Sequence, residues 1–163
     1  MIENIKLKFN YRSQSNNGWP MIMIKINDRI MARFEANSDH WSGDFDVPMQ
    51  STNSLRIEHY GKNYIADQSP DKYFELEKFF INDVDLKHHI FLFKQTAYLA
   101  PWDTIPPQAH SFYLGHNGYL ELIFDSPVDS WIQRLFGVTS ETMHGQSTSY
   151  QVLEDVKQFF GIR

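Results

Sequence analysis

Apolar and polar residues take turns along the first quarter of the chain. From Ile5 to Tyr11 the apolar positions are Ile5, Leu7, Phe9 and Tyr11, with Lys6, Lys8 and Asn10 between them. After Asn17-Gly18 the alternation resumes at Ile22, Ile24 and Ile26, and beyond Asn27-Asp28 it returns at Ile30, Ala32, Phe34 and Ala36. Period two sends successive side chains to opposite faces of an extended backbone, so these segments predict an antiparallel sheet with one dry and one wet face. Trp41, Gly43, Phe45 and Val47 alternate with Ser42, Asp44 and Asp46, which predicts a fourth strand. Pro48 to Asn53 is a turn-rich break, and Leu55, Ile57 and His59 continue the pattern. The stretch 61–70 (GKNYIADQSP) reads as a loop. Strand character returns from Lys72 to Ile81, with Phe74, Leu76 and Phe80 expected on one face, and Asn82-Asp83 turns the chain towards Val84 and Leu86. Ile-Asn-Asp stands at both 26–28 and 81–83, either as good turn chemistry used twice or as an internal repeat.

The second half is less regular. Ile90 to Phe93 is a short apolar run, and the three prolines of 100–108 (APWDTIPPQ) demand loop or sheet edge. Tyr119 to Phe124 predicts a strand with Leu120, Leu122 and Phe124 on one side. Ser126-Pro127-Val128-Asp129 is a helix start, with Ser126 as cap and an acid in the first turn. Val128, Trp131, Ile132 and Leu135 make its apolar stripe and Gly137 ends it. Thr148-x-x-Gln151 resembles a capping box ahead of a short helix carrying Val152, Val156, Phe159 and Phe160. Strands followed by helices predict a mainly β chain: an antiparallel β-sandwich over residues 1–125, and a helical extension over 126–163 with one or two short helices, packing on the sandwich or on a partner subunit.

Composition narrows the function classes. With 163 residues, 42% apolar and 15% aromatic, the chain can close one core. A net charge of −5 and no basic run argue against nucleic acid as partner. There is no cysteine, hence no disulfide framework, no thiolate metal site and no cysteine nucleophile. No segment approaches the roughly 20 apolar residues needed to cross a bilayer, and the first residues lack a signal-peptide core, so synthesis and folding in a cytoplasm without membrane attachment are expected.

No stretch of the sequence declares a reaction. The histidines lack ligand-like spacing: His88 and His89 are adjacent, and His110, His116 and His144 fall in loops. There is no GxSxG, Walker loop or GxGxxG. Glu75 and Glu77, about 7 Å apart on a strand, could in principle flank a glycosidic bond, but a solvated strand face explains them as well. Two groupings point to binding. Asp67 and Asp71 bracket a loop directly before a strand, and two carboxylates with loop carbonyls can supply part of a calcium shell. Trp19, Tyr60, Tyr64 and Trp102 lie in or beside loops, where flat rings can stack on the C–H faces of sugars, whereas Trp41 and Trp131 suit the core.

The pieces NNGWPMIMIKIND, ARFEA, LRIEHYGKNY and ADQSPDKYFELEKFFIND, within residues 5–86, together resemble the calcium-dependent, xylan-binding type of carbohydrate-binding module. The resemblance implies a jelly-roll-like sandwich with calcium in the sugar site and Asp67 and Asp71 falling on the family's acidic loop; carbohydrate is then expected on the loops holding Trp19, Tyr60, Tyr64, Asp67 and Asp71. One departure stands out: Gly61-Lys62-Asn63 replaces the Asn-Asp pair often found there, and a lysine beside a calcium site is electrostatically unfavourable. Small cysteine-free chains of this pattern also look like accessory proteins of marine bacteriophages. The expectation is therefore a non-enzymatic virion accessory protein of tail, neck or capsid surface, binding glycan or other virion proteins as a homo-oligomer or within a larger assembly. A purely structural subunit contact and a polysaccharide-acting enzyme are the alternatives.

Overall fold

The computed structural model describes residues 1–66, 71–99 and 112–137. In chain order the strands are β1 (Ile2–Gln14), β2 (Met21–Ile26), β3 (Arg29–Glu35), β4 (His40–Pro48), β5 (Thr52–Tyr60), β6 (Tyr73–Ile81), β7 (Val84–Asp85), β8 (Phe93–Tyr98), β9 (Tyr113–Leu114) and β10 (Asn117–Asp125). A 3₁₀ turn, Lys87–Leu92, joins β7 to β8, and helix α1 (Val128–Leu135) follows β10. One sheet runs β4-β1-β6-β7 with β9 also on β6; the other runs β3-β2-β5-β10-β8, and every pairing is antiparallel. The expected antiparallel β-sandwich is what forms.

Alternation places the core as the pattern predicts. Ile5, Leu7, Phe9 and Tyr11 of β1 face Ile22, Ile24 and Ile26 of β2, Leu55 and Ile57 of β5, and Leu120, Leu122 and Phe124 of β10, all buried. Rings bind the layers: Phe79 stacks on Phe9 at 5.3 Å and meets Phe93 edge-on at 5.1 Å, which meets Phe112 in turn at 5.1 Å. Trp41 lies flat between Phe9 and Phe34, closing the side where edge strands β4 and β3 lie.

Strand β6 departs from simple alternation. Asn10 pairs with Lys78 and Tyr11 with Leu76, so Glu77 is the extra residue of a β-bulge. The bulge resets the period, and Phe74, Leu76, Phe79 and Ile81 face inward. Phe80, expected inside, stands half-buried outside beneath the Lys8 ammonium, 5.4 Å from its ring centroid.

The two Ile-Asn-Asp turns are the same device built twice. Asn27, Asp28, Asn82 and Asp83 all have positive φ, the conformation that a two-residue type I′ hairpin requires. Each asparagine also extends its strand's pairing by one step. Asn27 donates its N–H to the Ser54 carbonyl and accepts the Ser54 N–H on Oδ1, while Asn82 does the same with Lys6. The pair sits at the end of the sandwich opposite the long loops.

Helix α1 buries Val128, Trp131 and Ile132, with Trp131 5.8 Å from Phe124 of β10. Its start is not capped by Ser126 as expected; Pro127 takes the cap position and makes no side-chain cap bond. Glu3 of β1 supplies the acceptor instead: one carboxylate oxygen takes the Val128 N–H at 2.8 Å and the other takes the Ser126 hydroxyl. Glu3→Ala is expected to cost about 1–2 kcal/mol in urea unfolding, the usual worth of a cap with a charged acceptor. An unchanged midpoint would mean that Ser126 or water replaces it. Phe136 and Gly137, the latter at φ +67°, close the helix as predicted by donating to the Ile132 and Arg134 carbonyls. The segment proposed as a second helix, with Thr148, Gln151, Phe159 and Phe160, lies outside the described residues.

Candidate functional site

The pairings Gln14–Tyr73, Met21–Tyr60 and Asn117–Tyr98 bring three connections to one end of the sandwich: residues 15–20, the loop after β5, and the turn between β9 and β10. Gly118 and Gly61 allow the chain to turn here, with φ of +153° and +76°.

The centre of this end is Lys62. Its side chain is only 6% exposed. The ammonium donates to Asp71 Oδ1 and to the Gly115 carbonyl, joining the 61–66 loop to the entry of β6 and to the β9–β10 turn. Its backbone is pinned by Asn117, whose Oδ1 accepts the Lys62 N–H and whose Nδ2 donates to the Lys62 carbonyl, both at 2.9 Å. The other Asp71 oxygen accepts the Tyr113 hydroxyl at 2.7 Å. Burial, reinforced by that bond to a carboxylate, holds the Tyr113 hydroxyl well above the ordinary tyrosine range.

Beneath Lys62 lies His59, fully buried on the core face of β5. Its Nδ1 meets the Leu114 carbonyl at 3.0 Å, so Nδ1 carries the proton, and Nε2 has no partner among the described residues. Desolvation holds the imidazole down to about 4 against the opposing pull of the Leu114 bond, with Lys62 and Lys72 pressing it further down and Asp71 pulling the other way.

The ring residues expected to bind lie at this end. Trp19, 39% exposed, stands on the β1–β2 loop, which is tied to its neighbour by Asn16 and Asn17 donating to the Ala66 carbonyl. Tyr60 is the last residue of β5, half-buried on the outer face. Tyr64 has a bracing role: its hydroxyl donates to the Tyr98 carbonyl and accepts the Asn117 N–H, and its ring lies 6.0 Å from His116. Trp102 and Asp67 lie outside the described residues. Sequence reasoning missed Tyr113 and Asn117, which nothing local marks out, and it placed Lys62 as a departure without foreseeing where the ammonium goes.

Calcium wants several oxygen ligands from carboxylates and carbonyls. At Asp71 those oxygens are taken by an ammonium and a phenol, and among the described residues no group of three or more His, Cys, Asp or Glu could hold a metal. The described residues around Asp71 do not fit a calcium ion. The carboxylates weighed for catalysis, Glu75 and Glu77, both grip Arg12, at 2.9 and 3.1 Å.

No family model and no curated protein matches the sequence. Similar solved structures include vCBM60 in complex with galactobiose, at 12% identity over 72% of this chain and 96% of that one, with a TM-score of 0.49. They also include the selenomethionine form of vCBM60, described with two families of calcium-dependent carbohydrate binding modules linked by circular permutation. That form matches at 9% identity over 72% of this chain and 89% of that one, with a TM-score of 0.50. At such identity the second likeness shows a shared β-sandwich fold.

Proposed function

We propose that the protein is a non-enzymatic glycan-binding module whose binding surface is the loop end carrying Trp19 and Tyr60. The observation that supports this most is the rigid bracing of that end. Lys62, Asp71, Asn117, Tyr113 and Tyr64 lock the β5–β6 loop to the β9–β10 turn, Asn16 and Asn17 tie the β1–β2 loop to Ala66, and the exposed Trp19 indole stands on that loop, as a preorganised ring platform needs. Likeness in fold to a carbohydrate-binding module agrees with it. Calcium has no part in this reading, and the ion pairs of Glu75 and Glu77 with Arg12 favour a solvated face over an acid–base pair.

A glycan array in calcium and in EDTA is expected to give hits in both conditions, and Trp19→Ala is expected to weaken them at least about tenfold, the worth of one stacked ring. A blank array in both rejects the reading. We further propose that the module rides on a phage particle, supported by sequence resemblance alone; mass spectrometry of purified virions that fails to find it rejects that placement.

A further inference from the structure

We propose that the Lys62 ammonium is the resident cation of the loop end, tethered to the chain at Asp71, and that it makes this end independent of calcium. The two groups it contacts are those a hard cation would seek, a carboxylate oxygen and a loop carbonyl. It contacts them from inside the fold, and its stem is fixed at both ends. Asn117 clamps the Lys62 backbone through two reciprocal hydrogen bonds, and Asp71 and Gly115 hold the head. Tyr113 fills the second carboxylate oxygen, so Asp71 has both oxygens committed to this chain. A second buried lysine, Lys72, follows Asp71 in the chain with its ammonium 3.4 Å from the Asn17 carbonyl, adding a further positive charge to this end. The two ends of the β5–β6 loop and the β9–β10 turn are thus cross-linked by a side chain, as a metal could cross-link them.

The inference does not need the glycan reading, and its test uses no glycan. Thermal unfolding of the chelator-treated protein is followed in EDTA, 5 mM magnesium and 5 mM calcium, concentrations of about the size that would saturate a millimolar extracellular-type site. The expected melting temperature is the same in all three within a degree. A rise specific to calcium that disappears in Asp71→Asn overturns the proposal, because calcium then occupies Asp71 in spite of the lysine. A rise that survives Asp71→Asn comes from elsewhere in the chain and leaves Lys62 as the occupant.

The second arm tests the ammonium itself. Lys62→Met is expected to melt at least 5 °C lower, since it leaves Asp71 and the Gly115 carbonyl without their donor, and Lys62→Met/Asp71→Asn is expected to recover part of the loss. Lys62→Met melting with the parent protein overturns the proposal. If Lys62→Met does not fold, the calcium comparison on the parent protein still decides it.

Discussion

Gly118→Ala is expected to cost about 3 kcal/mol or more, and so to lower the melting temperature by roughly 6–12 °C for a chain of this size. Gly118 sits in the β10 register opposite His59 on one side and Ala97 on the other. Its φ is +153°, a conformation that L residues rarely adopt. A Cβ there would stand 2.2 Å from the Thr96 carbonyl oxygen and 2.7 Å from the Ala97 Cα, both of them backbone atoms that cannot rotate away. Relief would require β8 to peel from β10, and with it the Tyr98 carbonyl that receives the Tyr64 hydroxyl. Damage is therefore expected at the loop end first, with loss of any glycan binding ahead of global unfolding. Gly18→Ala is the control: its φ is +98° but a Cβ there meets nothing within 4 Å, so only about 1 kcal/mol of backbone strain is expected. Urea unfolding of both variants separates the two cases. Equal losses would show that conformation alone, and not the close approach of β8, decides the cost.

The contrast between legible and hidden features follows range of interaction. Strands β1, β2, β4 and β5 were readable because their side chains hold to period two, and the β2–β3 hairpin because its Asn-Asp turn demands positive φ at two successive positions, but in β3 a bulge at Met31 leaves Ile30 exposed where the alternation expected it on the dry face. The inward face of β6 was misread from Glu77 onward, since one bulged residue moves every later side chain to the other face and leaves no mark in composition. β8 escaped because only Phe93 of its six residues is buried; an edge strand shows too little periodicity to see. The helix start was legible, its cap was not: Glu3 lies 125 positions away from Val128. The candidate site divides in the same manner. Trp19 and Tyr60 could be named from residue type and loop position alone. What Lys62 does depends on Asp71, Gly115 and Asn117, and only the folded sandwich brings those three together.

The other large effect expected is a loss of stability in mild acid, carried by His59. The imidazole holds a proton at about 4 in the folded chain against an ordinary 6.5, chiefly because it is buried. The unfolded state therefore binds more protons throughout that window. Stability from the neutral ring is present in full above about pH 6.5, falls as pH drops below it, and levels off below about 4. A gap of this size amounts to about 3 kcal/mol. Lys62 and Lys72 push in the same direction as burial, while the Leu114 bond and Asp71 oppose them, so the buried cations help to keep the ring neutral. Denaturant unfolding at pH 7.5, 5.5 and 4.5 is expected to show the decline in the parent protein. In His59→Gln, which keeps a polar side chain that can still donate to the Leu114 carbonyl, the decline should be shallower by most of that 3 kcal/mol, whatever the variant loses at neutral pH. Parallel profiles for the two proteins would assign the acid sensitivity to other groups, and would mean that the core opens far enough to hydrate His59.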